Sequence, residues 1–522
     1  MLTFELLLGL LAFCVALALV ARRLNLPFAV ALVLGGMAIA FIPGLPQIEF
    51  EPELALALFL PPLLQLSAYR TDWPAFRTSL RPILLLAVGA VFFTAAAVAL
   101  VAKWLVPDLP WGAAIALGAI VAPPDAVAAA AVLKDLRPPK RIITVLEGES
   151  LLNDASSLVL YRFAVAATLA GSFDLQQGAL SFFLSALGGG IIGYVVGRIA
   201  MWIFAKLDDT LHDITVSVLA GFAAYFLAEA VHVSGVLGVV GCGLVLGRHQ
   251  HHEFTARTRL EAGAVWTFIE FVLASLVFML IGMQLRGIVE RLEHYDWWQL
   301  GLLAVAVSAT LIISRFLWIA PMTWVPRLLS RKLRERDPAS PVGELIVVSW
   351  AGMRGVVSLA AALALPTNFP GRDIIVFLAF CAIFATLVLQ GTTLGPLIRA
   401  LGVAEPETSG PSNEQLAVRR QVTAAALSAV EDRLEDPEHR AAAGELVEEY
   451  QERAEQVTRL DQDVEAETER LGKQLELRLA AIEAARNKLI ENRHEHDDEA
   501  SRALTEELDL EEEQIRRELG ER

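Results

Sequence analysis

Five polar side chains crowd eight residues of an otherwise apolar stretch: Glu147, Glu149, Ser150, Asn153 and Asp154, in the run EGESLLND. Placing a charge at the centre of a bilayer costs at least ~2.5–3.5 kcal/mol, so three acids in one span point to an ion or proton pathway rather than to scaffold. Counting from Arg141, where the apolar span begins, Asp154 lies roughly 20 Å along a helix, near its middle. Asp154 is therefore the expected centre of the pathway and the expected holder of a transported Na+ or proton. Glu147 shares its face about 10 Å nearer the entrance, a vestibule position. Ser150 is one helical turn from Asp154 on that face. The Ser150 hydroxyl and the Asn153 amide can each offer an oxygen to a hard cation. Glu149 is turned away, and the expectation is a buried interhelical ion pair with Arg354.

Two interruptions elsewhere belong with this run. Pro123-Pro124 breaks one apolar segment, because adjacent prolines remove backbone donors and clash with the preceding turn. Gly352-Met353-Arg354-Gly355 places a glycine-flanked charge inside another. Two broken helices that cross at mid-membrane present four half-helix ends, positive at N-termini and negative at C-termini. Asp125, directly after the proline pair, can offset the positive ends, and Arg354 the negative ones.

The elements that must position these residues are membrane helices. The chain is 55% hydrophobic, beyond the range of an ordinary soluble domain. Its apolar runs are long enough to cross a ~30 Å hydrocarbon core. The reading is an all-α polytopic membrane protein with about thirteen spans, near 2–20, 28–46, 52–69, 82–102, 110–133, 141–170, 178–204, 213–232, 234–247, 262–284, 298–320, 343–366 and 373–400. Alternate loops are basic. One set, from Arg22-Arg23 to Arg336, holds about nineteen Lys and Arg, and the other only Lys103, Arg286, Arg291 and Arg372. The basic set is expected in the cytoplasm, with the N-terminus outside. No basic stretch precedes the first apolar run, so a cleavable signal is not expected there. Thirteen divides as six, one and six, which makes the halves inverted repeats with the breaks in corresponding spans, the arrangement of a midplane binding site.

Residues 403–522 differ in kind. They hold about 33 acidic and 16 basic residues, so this acidic helical domain carries about −17 against a formal charge of −16 for the whole chain, and residues 1–402 are close to neutral at about +1. A stripe including Leu434, Leu446, Leu460, Leu477 and Ile482 suggests soluble helices packed together in the cytoplasm, with a regulatory arm that takes a partner as the sharper alternative. Such a tail avoids an anionic leaflet and does not favour nucleic acid. Cys14, Cys242 and Cys381 sit far apart in apolar runs without metal-ligand spacing.

A carboxylate in a half-dry cavity can hold a proton or a sodium-sized cation, but not both at once. Competition for that one site, with alternating access, couples the two flows. Because the neighbour of Asp154 is an asparagine and not a second acid, the exchange is expected to be electroneutral. The runs LEGESLLNDASSLVLY, APPDAVA and WAGMRGVVSLA resemble the sodium/proton exchangers of the monovalent cation:proton antiporter family, and the Asn-Asp pair is similar to its electroneutral branch. The resemblance covers roughly residues 1–400. It implies a homodimer in the plasma (inner) membrane, a transport core of spans 4–6 and 11–13, and a dimer scaffold of spans 1–3 and 7–10. It also implies that Asp154 carries the ion or proton, that Asn153, Ser150 and Asp125 arrange the site, and that Glu149 and Arg354 form a structural pair. Many relatives have a threonine where this chain has Pro124, so the carbonyls of Ala122 or Pro123 must stand in for its hydroxyl. No cofactor is expected beyond Na+ and H+ as substrates.

Other polar residues carry weaker signals. Glu270 suits either a vestibule role or a pairing with an interhelical polar group. Arg162 and Arg315 read as structural intramembrane arginines, and Arg162 can snorkel to the surface. His249, His251 and His252 can sense pH or bind a stray metal, though a solvated loop is the plainer reading. The competing functions are a cation channel and a sensor that kept the transporter body. An intramembrane enzyme finds no support, since no zincin motif, nucleophile–base pair or nucleotide fingerprint occurs.

Overall fold

The protein is seen as a computed structural model that describes residues 2–24, 26–43, 52–133, 136, 138–170, 175–207, 209–292, 296–336, 340–404, 413–436, 439–462, 464–491 and 498–519. Among the described residues every regular element is helical. Lys134 and Arg137 of the basic loops fall outside them. The chain divides into two units, Met1–Glu405 and Pro406–Arg522.

In the first unit the helices are α1 (Leu2–Leu24), α2 (Phe28–Ala40), α3 (Pro52–Arg70), α4 (Leu80–Leu105), α5 (Trp111–Val121), α6 (Ala126–Leu133), α7 (Lys140–Ala170) and α8 (Leu175–Phe204). They continue as α9 (Thr210–Ala230), α10 (Gly235–Glu253), α11 (Ala256–Met283), α12 (Trp297–Leu329), α13 (Val342–Trp350), α14 (Val356–Leu363) and α15 (Arg372–Leu401). Among the described residues, six segments are long and apolar enough by themselves to cross a membrane: Leu80–Leu105, Leu180–Phe204, Thr210–Ala230, Ala256–Arg291, Trp297–Leu329 and Arg372–Leu401. Several others are short or polar for local reasons. Helices α5, α6, α13 and α14 have only 8–11 residues each, because the chain leaves helical geometry at Pro123-Pro124 and at residues 352–355. Helix α7 carries the acids of the EGESLLND run.

The helices pack as two groups. In one, α2 lies on α11, α3 on α10, and α8 on α9 and α10. In the other, α4 lies on α5 and α12, α5 on α7, and α14 on α15. The groups meet where α14 touches α3 and where α7 touches α8 and α10. Lipid tails supply no hydrophobic drive between helices, so tight contact depends on small residues. The first group shows this directly. A Cβ on Gly282 would run into the Val33 carbonyl, and one on Gly36 into that of Met279, so α2 and α11 touch backbone to backbone. Gly193 lies in the same way against the Gly238 carbonyl.

Two spans contain a π-turn, Leu85–Ala90 in α4 and Thr386–Gln390 in α15. A π-turn widens the helix and displaces carbonyls from their usual partners. The Leu85 carbonyl accepts instead from the Trp318 indole at 2.9 Å, and Trp318 packs where Gly89 has no side chain.

The second unit holds α16 (Asn413–Glu431), α17 (Arg440–Gln462), α18 (Val464–Glu491) and α19 (Asp498–Leu519), each packed on the next. Leu460 and Ile482 of the predicted stripe are buried, whereas Leu446 and Leu477 are exposed. Arg486 of α18 joins α19 through Asp509 and Glu512, both at 2.5 Å.

Gly282→Leu and Gly193→Leu are expected to lower unfolding stability in detergent by ~1–3 kcal/mol through overpacking. Gly301→Leu, at an exposed position with nothing within 4 Å, should leave the melting temperature unchanged.

Candidate functional site

The two interruptions meet. The Asp125 amide donates to the Met353 carbonyl at 2.6 Å, a backbone bond from one break to the other. Arg354 is fully buried between them. Its Nε donates to the Val121 carbonyl at 2.9 Å and its Nη2 to the Ala122 carbonyl at 3.3 Å, at the C-terminal end of α5. Its Nη1 donates to the Gly352 carbonyl just past α13. One guanidinium thus serves orphan carbonyls from both first half-helices, where the helix dipoles place negative charge. At the opposite pole, Asp125 Oδ1 accepts from the Val127 amide at 2.8 Å and caps α6. Gly355 is required here, because a Cβ would overlap the Asp125 carboxylate. The Arg354 amide donates to Thr386 Oγ1 at 3.1 Å, which ties the second break to the π-turn of α15.

The three acids of α7 have three different fates. Glu149 is buried and held bidentately by Arg315 of α12, at 2.6 and 3.0 Å. Arg315 Nη2 also donates to the Val348 carbonyl of α13 at 3.0 Å. This corrects the expected Glu149–Arg354 pair: Arg354 is committed to backbone carbonyls, and the planar fork that matches the carboxylate comes from Arg315. Both guanidinium groups crowd the space beside Gly352. Two buried cations are therefore balanced by one carboxylate together with two helix C-termini.

Asp154 and Glu147 instead face a cavity of about 150 Å³, with Ser150, Asp125, Pro123, Pro124 and Gly355 on the same wall. Helices α3 and α11 supply the opposite wall, including Leu64, Arg70, Glu270 and Phe278. Asp154 is only 7% exposed. No arginine or lysine among the described residues forms an ion pair with it.

Asn153 is buried away from this cavity. Its Nδ2 donates to the Pro124 carbonyl at 2.7 Å, while its Oδ1 has no hydrogen-bond partner among the described residues. The amide thus fastens α7 to the first break. Ser157 Oγ adds a second fastening, to the Ala119 carbonyl at 2.7 Å. Of the carbonyls expected to replace the missing threonine hydroxyl, Ala122 is engaged by Arg354, whereas Pro123 lines the cavity.

Glu270 makes an interhelical pair, accepting from Arg70 Nη1 at 2.8 Å, while Arg70 Nη2 reaches Thr267 at 3.0 Å. Arg162 Nη2 donates to both carboxylate oxygens of Glu229 at 3.0 Å, with the arginine side chain half exposed. His249 Nδ1 lies 2.8 Å from the Val245 carbonyl. The side chains of His251 and His252 lie outside the described ones. The sequence reading missed Arg315 as the Glu149 partner and Thr386 as a ligand of the second break. Arg315 was visible, with Arg162, as a further arginine inside a span, but Thr386 gives no signal among apolar neighbours.

Glu149→Gln or Arg315→Met alone is expected to destabilise the protein by ~3–5 kcal/mol, since each leaves its partner buried without a counter-charge. The double variant Glu149→Leu/Arg315→Met should recover much of that loss in a detergent melt.

The architecture and the sequence both have known counterparts. The family model for the sodium/hydrogen exchanger, transmembrane, matches residues 9–400. A Na+/H+ exchanger of Mycobacterium tuberculosis strain H37Rv, itself described as uncharacterized, is 34% identical over 511 residues, which cover 93% of this chain and 91% of that protein. The sodium, potassium, lithium and rubidium/H+ antiporter of Bacillus subtilis is 34% identical over 380 residues, covering 69% of this chain and 56% of that protein. The structure of the sodium proton antiporter MjNhaP1 from Methanocaldococcus jannaschii superposes with a TM-score of 0.61 and covers 78% of this chain and 99% of its own. At 19% identity that likeness is one of fold. The chain belongs to the sodium/hydrogen exchanger family.

Proposed function

We propose that the protein exchanges Na+ for H+ across the plasma membrane, one for one, through competition of the two ions for Asp154. The observation that carries this reading is the contrast within α7. Glu149 is neutralised by a bidentate arginine, whereas Asp154 faces a cavity and has no cationic side chain paired with it among the described residues. A buried carboxylate without a fixed counter-ion needs a mobile one, and a proton or a small cation supplies it. Ser150, Asp125 and the Pro123 side of the break share the cavity and offer oxygens to a hard ion. Two ions that bind the same group exclusively cannot be carried together, so each return crossing brings the other.

Alternating access follows from the two helix groups. The core of α4–α7 and α12–α15 carries Asp154 and both breaks, and it moves against the scaffold of α1–α3 and α8–α11. Asp154 then opens to one side or the other without its own surroundings being rebuilt. The scaffold forms the homodimer contact. The segments 2–24, 28–40, 52–70, 111–133, 140–170, 235–253 and 342–363 add seven further spans and complete a total of thirteen in two inverted halves. The basic loops and the acidic tail lie in the cytoplasm, and the N-terminus lies outside. Potassium and lithium are further candidate substrates, in keeping with the name of the Bacillus subtilis relative.

Asp154→Asn should abolish cation-driven proton movement in a proteoliposome pH-gradient assay while leaving the detergent melt intact. Retained exchange in that variant would refute the mechanism. In wild-type vesicles at fixed ion gradients, imposing a membrane potential with valinomycin should not change the exchange rate. A voltage-dependent rate would rule out one-for-one exchange, and unitary currents would indicate a channel.

A further inference from the structure

A second cavity, of about 80 Å³, has no part in the ion pathway. It opens among the ends of four helices. Arg81 comes from the first turn of α4, Arg141 from the first turn of α7, Arg327 from the last turn of α12, and Glu344 from the first turn of α13. Its floor is apolar, built from Leu86, Val145 and Met322. Beside it, Leu80, Leu84, Trp324 and Leu328 are exposed. Three guanidinium groups therefore stand over an apolar cleft that continues into an apolar outer surface.

The geometry points to a binding site for an anionic phospholipid, with its phosphate under Arg81, Arg141 and Arg327 and its acyl chains along Leu80, Leu84 and Leu328. The charge count favours an anion. Among the described residues, three arginines and one carboxylate line the cavity. The argument needs none of the arginines to be unpaired. A phosphate suits this arrangement because guanidinium forks bind its oxygens in pairs. The source of the phosphate follows from the rest of the surface: a free phosphate has no use for the apolar floor or the exposed leucines, whereas a diacyl lipid fills both. Basic pockets between membrane helices at headgroup depth are suited to such lipids.

The site joins the elements that hold the buried ion pair. Arg141 lies two turns before Glu149 on α7, and Val348, which lines the cavity, gives its carbonyl to Arg315. A bound lipid would therefore clamp α7, α12 and α13 from the membrane face.

The test is native mass spectrometry of the delipidated full-length protein mixed with equimolar phosphatidylglycerol and phosphatidylcholine, which reads lipid bound to folded protein and does not depend on transport. Wild type should retain one phosphatidylglycerol per chain in preference to phosphatidylcholine. Arg141→Gln/Arg327→Gln should reduce that retention about tenfold or more. Arg331→Gln, an exposed arginine outside the cavity, should not reduce it. Equal retention of the two lipids by wild type, or undiminished phosphatidylglycerol on the folded double variant, would overturn the inference. So would displacement of the lipid by inorganic phosphate at the same concentration, which would reduce the site to one for the free anion. The lipid preference and the phosphate competition are read on wild type, so they decide the matter even where the double variant does not fold.

Discussion

Backbone left unpaired inside a membrane is the constraint from which this molecule is built. Breaking two helices at mid-depth exposes carbonyls at α5 and α13 and amides at α6 and α14, and hydrocarbon offers none of them a partner. The protein answers with groups already at the crossing. Arg354 takes carbonyls from both breaks, Asp125 caps α6, and the Asp125 amide pairs with Met353. Asn153 and Ser157 then fasten α7 to the same place. Every other feature of the cavity presupposes this knot, since it sets where Asp154 stands.

With the backbone satisfied, the acids of α7 can be sorted by what neutralises them. Glu149 has a permanent counter-ion in Arg315, and its charge belongs to the scaffold of the core. Glu147 and Asp154 face open space between α7 and the α3–α11 wall. Burial makes the difference consequential, because a paired carboxylate is inert to passing ions, whereas one that faces a cavity must find its partner there. The same eight-residue run thus holds one acid fixed by an arginine and two that face open space.

Much of this was legible in the sequence because the residues involved are improbable in a membrane. Pro123-Pro124, the glycines around Arg354 and the acids of α7 announce themselves against an apolar background, and their spacing gives depth and face. The capping roles of Asp125 and Arg354 follow from helix dipoles alone. The pairing of Glu149 did not follow, since helical spacing shows which way a side chain points but not which neighbouring helix lies there. Arg315 and Arg354 are equally buried and equally charged, and only the three-dimensional course of α12 separates them. Asn153 shows the same limit: its type suits an ion ligand, and only the structure shows that its Nδ2 is fastened to the Pro124 carbonyl while its Oδ1 has no hydrogen-bond partner among the described residues. Thr386 and the π-turns leave no trace in composition.

Arg315 binds Glu149 of α7 and the Val348 carbonyl of α13 at once, so three elements from distant parts of the chain are welded at one atom group. In the exchange proposed above, a body welded in this way keeps its inner coordination shell as it travels. The cation then meets the same first neighbours whichever side it comes from, and any bias between inward and outward affinity originates in the α3–α11 wall, where Arg70, Glu270 and Phe278 stand.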